Sequence, residues 1–145
     1  MDKIKIAIGS DHGGFEYKAS IIKALQVKGY DVVDMGTYSP ESCDYPIIAK
    51  KVARAVAKGD FEKGILVCGT GIGMSMAANK VKGIRAAVCG DTFSARATRA
   101  HNNANVLCLG QRVVGEGLAL DIVDIWLTTK FEGGRHERRV NMIEE

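Results

Sequence analysis

Proline is scarce, with two residues in 145, and 46% of the chain is hydrophobic. Together these exclude a disordered or low-complexity chain. No run approaches the roughly 18 uncharged apolar residues of a membrane span, so no contact with a membrane is expected. The four cysteines, Cys43, Cys68, Cys89 and Cys108, form no C-x-x-C pair, which argues against a zinc site and a disulfide framework. Cys89 and Cys108 fall in apolar stretches and read as small buried hydrophobes. A net charge of +3 is too mild to call for nucleic acid. The most basic stretch, "GGRHERR", has only Phe131 near it, whereas a nucleic-acid surface favours a broad basic stripe with stacking aromatics. The beginning, Met1-Asp2-Lys3-Ile4, enters a strand pattern with no visible signal peptide, so a cytoplasmic enzyme or binding protein is expected.

What is present is a regular alternation. "IKIAIGS" (4–10), "YDVVDMG" (30–36), "GILVCG" (64–69), "IRAAVCG" (84–90) and "NVLCLG" (105–110) read as buried strands. Helical patterns follow near 14–28, 45–58 and 115–129, the last expected to bury Leu118, Leu120, Ile122, Val123 and Trp126. Strands apolar on both faces, alternating with helices, indicate βαβ units and a parallel sheet. The expected fold is one α/β domain over 1–145. It is a three-layer, Rossmann-like α/β/α arrangement with five parallel strands and a C-terminal helical arm after Lys130.

In open α/β sheets the ligand lies outside the carboxyl ends of the strands. The stretches that follow the five strands are "SDHGG", "GTYSPESCDYP", "CGTGIGMS", "GDTFSARATRAHNN" and "LGQRVVG". Histidine, aspartate, cysteine, threonine and arginine are therefore expected at that one end.

"GTGIGMS" sets Gly69, Gly71 and Gly73 around a helix N-terminus, where backbone N–H groups and the positive dipole end suit an anion. It is neither nucleotide fingerprint: a G-x-G-x-x-G frame from Gly69 would end at Met74, and the Gly-Lys-Ser/Thr of a P-loop is missing. A smaller anion is implied, or a plain tight turn. Cys68, the last strand residue before the turn, is open to three readings: packing, metal ligand, or base. Asp11 in "SDHGG" can cap the next helix as readily as act in chemistry. His101, Asn102 and Asn103 in "AHNNAN" could be a helix C-cap. Arg112 follows the fifth strand, and Arg135 and Arg139 lie four apart on one helical face with forked donors that match phosphate oxygens.

Taken together, "SDHGG", "DYP", "GTGIGMSMAANKVKGIRAA", "HNNANVLCLGQRVVG" and "EGGRHERR" resemble the type-B ribose-5-phosphate isomerase family, which also holds galactose- and allose-6-phosphate isomerases. The match runs from about Ile4 to Val140. The resemblance implies an aldose–ketose isomerase of carbohydrate metabolism, in the pentose phosphate pathway, working through an enediolate without metal or cofactor.

Residue by residue, the resemblance makes Cys68 the base that moves a proton between carbons 2 and 1. A second branch of the family uses a glutamate six residues later, where this chain has Met74. A free thiol ionises near pH 8.5, and helix N-termini or cations lower that to roughly 3.5–7.5, so the position suits a base. Thr70 would shuttle protons between the sugar oxygens, and the amides around Gly71 to Ser75 would stabilise the enediolate. His101, with Asp11, would open the furanose ring. Asn102 would contact the enediolate oxygens and Tyr45 the sugar hydroxyls. His12, Arg112, Arg135 and Arg139 would clamp phosphate, with Arg138 left as surface charge. The family's active site forms between subunits of a homodimer or tetramer, with His101, Asn102 and Arg112 facing a partner's Cys68 loop. The competing expectations are an isomerase of a six-carbon sugar phosphate and a non-catalytic sugar-phosphate sensor.

Overall fold

The computed structural model describes residues 4–145, so Met1-Asp2-Lys3 and the reading made there lie outside the described residues. Five strands, β1 (Lys5–Ser10), β2 (Asp31–Asp34), β3 (Lys63–Cys68), β4 (Ala86–Val88) and β5 (Val106–Gly110), form one sheet in the order β2-β1-β3-β5-β4. Every pairing is parallel. Six α-helices connect or follow them: α1 (Phe15–Val27), α2 (Tyr45–Ala57), α3 (Ile72–Ala78), α4 (Thr92–Ala100), α5 (Glu116–Thr128) and α6 (Arg135–Ile143). The strand order reverses between β1 and β3, the place where such sheets bind ligands.

The two-residue period of the strands divides the core into two layers. Ile6, Ile8, Ile65, Val67, Leu107 and Leu109 point to one face, against Ile21 and Leu25 of α1, Ala95 of α4, and Ile122, Val123 and Trp126 of α5. Ala7, Leu66, Cys68 and Cys108 point to the other, against Val52 and Val56 of α2 and Met74 and Ala78 of α3. The fully buried Trp126 anchors the first layer, and truncating such a side chain costs about 3–5 kcal/mol. In α2, Ala49, Val52, Ala53 and Val56 repeat at helical spacing and are all buried, which is why that segment docks as a helix. Leu118 departs from expectation: it is 39% exposed, because the buried stripe of α5 runs through Ala119, Ile122, Val123, Trp126 and Leu127.

The four cysteines are free. Burial, with Asp91 nearby, pushes the Cys89 thiol up to about 11. Burial, with Cys68 and Cys89 beside it, pushes Cys108 well up. Both behave as apolar packing, as their sequence settings indicate. No helix among the described residues is long and apolar enough to cross a membrane.

Candidate active site

Cys68 ends β3, pairs in register with Gly110, and is 6% exposed. Its sulfur accepts the Gly71 N–H at 3.0 Å. That contact needs Gly71 in the left-handed region, at φ +82°. A side chain there would stand 3.0 Å from the Leu109 carbonyl carbon, so both conformation and space demand glycine. Thr70 is exposed, and its Oγ1 accepts the Ile72 N–H at 3.2 Å. The amides of Gly73 and Met74 follow in the first turn of α3, where a helix offers them no internal acceptor.

Ser75 corrects an expectation. Its amide donates to the Gly71 carbonyl at 3.1 Å, so the amide serves the helix rather than a ligand, while its hydroxyl donates to the Ile72 carbonyl at 2.8 Å and keeps its oxygen as an acceptor. Met74 is fully buried. It packs α3 onto the sheet in the same buried layer as Cys68.

The loop after β1 closes on the same turn. The Gly13 backbone passes so near Gly69 that an added Cβ would be 3.1 Å from the Gly69 nitrogen. Asp11, 7% exposed, accepts the Gly13 N–H at 2.9 Å, which is the capping geometry the sequence allowed. His12 is exposed and its Nδ1 accepts the Cys43 N–H at 3.2 Å, which leaves Nε2 for a ligand and fixes it as the proton-bearing nitrogen of the neutral ring. Tyr45 begins α2 with its ring over Gly73, where an added Cβ would meet the ring at 2.6 Å.

Arg112 also lies here, and that is a second correction. The resemblance implied that it faces a partner's Cys68 loop. Instead its amide donates to the Gly69 carbonyl of its own chain at 3.0 Å, and its side chain runs past Gly69. The Gln111 amide donates to the Cys68 carbonyl at 2.9 Å, while the Gln111 side chain accepts the Tyr17 N–H at 3.0 Å. Gln111 thus ties the turn, the Arg112 loop and the start of α1 together. Sequence reasoning missed it, since only its position after β5 marked it.

The third correction concerns His101 and Asn102. As part of the stretch after the fourth strand they were expected at the carboxyl end of the sheet, whereas the resemblance set them against a partner's Cys68 loop. They lie instead at the C-terminal end of α4, just before β5 begins at Val106. Helix α4 runs back along the sheet and spends the length of a strand doing so. The sheet's two ends are roughly 15 Å apart, at about 3.3 Å per residue. His101 and Asn102 therefore sit at the amino ends of the strands, and Asp11 and Cys68 at the carboxyl ends, within one chain.

A second cluster gathers at the amino end. The His101 ring stacks on His136 of α6, with centroids 4.3 Å apart and planes within 12°. Glu132 lies between them, one oxygen 3.8 Å from His101 Nε2 and the other 3.7 Å from His136 Nε2. Arg135 and Arg139 are exposed on the same helix, as is Arg138. Burial pushes the His136 imidazole below its ordinary value, helped by His101 and the two arginines, with Glu132 pulling the other way. Arg85 anchors the end of α6 through Glu144 at 2.7 Å. A cavity of about 520 Å³ at the same end is lined by Arg85, Thr98, Asn102 and Ile143. Glu132 and His136 were not singled out from the sequence; only the density of charge in "GGRHERR" drew attention to that segment.

The chain thus carries two half-clusters at opposite ends of one sheet. One holds a thiol, a hydroxyl, unsatisfied amides and phosphate-compatible His12 and Arg112. The other holds His101, Asn102 and two more arginines.

Comparison with known proteins supports the same reading. The model of the Ribose/Galactose Isomerase family matches residues 6–143. Ribose-5-phosphate isomerase B of Escherichia coli K12 is 54% identical over 139 residues, covering 96% of this chain and 93% of that one. The structure of Clostridium thermocellum ribose-5-phosphate isomerase B superposes with a TM-score of 0.96 at 57% identity, covering 97% of this chain and 95% of the other. The Mycoplasma genitalium ribose-5-phosphate isomerase B structure with bound ribulose-5-phosphate gives 0.95 at 45% identity, covering 99% and 96%. With both the family model and close relatives spanning nearly its whole length, the chain belongs to the ribose/galactose isomerase family.

Proposed function

We propose that this protein interconverts D-ribose 5-phosphate and D-ribulose 5-phosphate through an enediolate, with the Cys68 thiolate as the base. The isomerase activity rests on family membership and on relatives described as ribose-5-phosphate isomerases at 54% and 57% identity. The observation that carries the assignment of the base is the Gly71 N–H aimed at the Cys68 sulfur at 3.0 Å. A hydrogen bond of this kind strengthens once its acceptor is ionised.

In the forward step the thiolate takes the proton from carbon 2 of the open-chain aldose, leaving an enediolate and a neutral thiol. The thiol returns the proton to carbon 1, and the carbonyl is then at carbon 2. Thr70 moves the proton between oxygens 1 and 2. The Gly73 and Met74 amides, at the helix N-terminus, stabilise the negative charge as it develops. His12 and Arg112 hold phosphate from this side.

Ring opening by His101, contact by Asn102, and the remaining phosphate charge from Arg135 and Arg139 have to come from the amino end of a sheet. A second copy of the chain supplies them, which makes the working unit a homodimer with sites between subunits. Each chain contributes one domain. Its four unpaired cysteines suit the reducing setting of a cytoplasm.

A coupled isomerase assay over a panel of five- and six-carbon sugar phosphates tests the substrate. Turnover of ribose 5-phosphate is expected; turnover confined to six-carbon substrates would refute the assignment. The chemistry needs no metal, so a chelator should leave the rate unchanged.

A further inference from the structure

The geometry points to a binding site for a divalent transition ion such as Zn²⁺, formed by His101, Glu132 and His136. One donor atom from each of these residues lies within 4.8 Å of the other two. His136 Nε2 is buried with no hydrogen-bond partner, on a residue only 9% exposed. It points toward the Glu132 carboxylate at 3.7 Å. That separation, like the 3.8 Å between Glu132 and His101 Nε2, is too long for a hydrogen bond. Three donors thus converge without satisfying one another, around a buried nitrogen that no protein group satisfies.

Two imidazoles and a carboxylate are a common ligand set for zinc, with a fourth position left for water. In a tetrahedral site with bonds of about 2.0–2.1 Å, ligand atoms stand roughly 3.4 Å apart, so the donors must draw together by about an ångström. His101 and Glu132 are exposed and can turn to do this, fanning the stacked rings open, while His136 stays fixed. Arg135 and Arg139 act on the same imidazole and oppose a cation. The ion is therefore held reversibly rather than as a structural metal. Because His101 becomes a ligand, the bound ion removes it from ring opening and inhibits the enzyme; this consequence rests on the function proposed above, whereas the binding does not.

The test uses the intact, metal-free protein titrated with Co²⁺ in the visible and near ultraviolet, with Zn²⁺ as displacing ion. The expected result is one Co²⁺ per chain, with ligand-field bands and no thiolate charge-transfer band. Cys68→Ala should leave the spectrum unchanged. Glu132→Gln and His136→Gln should each weaken binding by more than about tenfold. The exposed Glu132 variant keeps the test valid if the buried His136 variant fails to fold. A charge-transfer band that vanishes in Cys68→Ala, unchanged affinity in Glu132→Gln, or absence of binding would each overturn the site. Zn²⁺ inhibition that Glu132→Gln relieves supports the site as well. Binding without inhibition keeps the site and overturns the assignment of His101 to ring opening.

Discussion

The Gly71 amide donates to the Cys68 sulfur across 3.0 Å, and this contact joins the backbone of a tight turn to the candidate base. It holds only while Gly71 keeps its φ of +82°. Gly71→Ala is expected to strain the turn by about 1–3 kcal/mol and to push on the Leu109 backbone. Turnover should fall more than thermal stability accounts for. Steady-state kinetics of the folded variant checks this, and a normal kcat would show that the contact does not matter.

Gln111 ties the loop that carries Arg112 to the turn after Cys68. Its side chain accepts the Tyr17 N–H and its amide holds the Cys68 carbonyl. Gln111→Ala leaves the Tyr17 donor without its partner and loosens the Arg112 loop. The loss should be about 1 kcal/mol, read as a several-fold rise in KM for the sugar phosphate with kcat nearly intact. A change in kcat alone would contradict a positioning role.

Lys63 gives a pH prediction unrelated to the chemistry. Burial, with Arg99 nearby, lowers its ammonium to about 8, with Glu62 pulling the other way, and the chain lies over the Trp126 ring at 5.4 Å. Between about pH 8 and the ordinary value of 10.5 the unfolded chain binds a proton that the folded one has released. Stability from this group therefore rises with pH across that window, and below it the charged form is a cost. Lys63→Met should be about 1 kcal/mol more stable at pH 7, after allowance for solvent screening and the lost ring contact. The advantage should shrink from pH 8 upward. Melting temperatures of both proteins from pH 7 to 10 decide it; a constant difference would refute the linkage.

The homodimer proposed above, with its site shared between subunits, predicts complementation. Cys68→Ala and His101→Asn should each be inactive alone. Mixed and allowed to exchange subunits, they form hybrid dimers in which one of the two sites is intact, restoring about a quarter of wild-type activity. No recovery on mixing, with exchange verified, would place the whole site within one chain.

Much of the fold was legible because its strands are apolar on both faces and its helices carry a clear buried stripe, as in Val52 and Val56 of α2. The turn at Cys68 was legible too, since glycine spacing is a local signal. What failed was the expectation that every stretch following a strand gathers at one end; the resemblance, which set His101 against a partner's loop, did not share that error. His101 follows the fourth strand in sequence, but α4 carries it to the other end of the sheet, and a motif list does not record which way a helix runs. Arg112 was assigned across a subunit boundary, although its amide bonds to Gly69 of its own chain. Glu132 and His136 came into view only through their contacts with His101, which no periodicity encodes. The Ser75 amide was misread because its distance from Gly71 suits a helical hydrogen bond as well as a ligand.

The measurement closest to the central claim is ribose 5-phosphate isomerisation by Cys68→Ala, paired with direct measurement of substrate binding. A general base contributes on the order of a hundred- to ten-thousand-fold. The variant should lose at least that much turnover while its dissociation constant stays within about twofold, since phosphate is held by other residues. Turnover at the wild-type rate would contradict a thiolate base at Cys68.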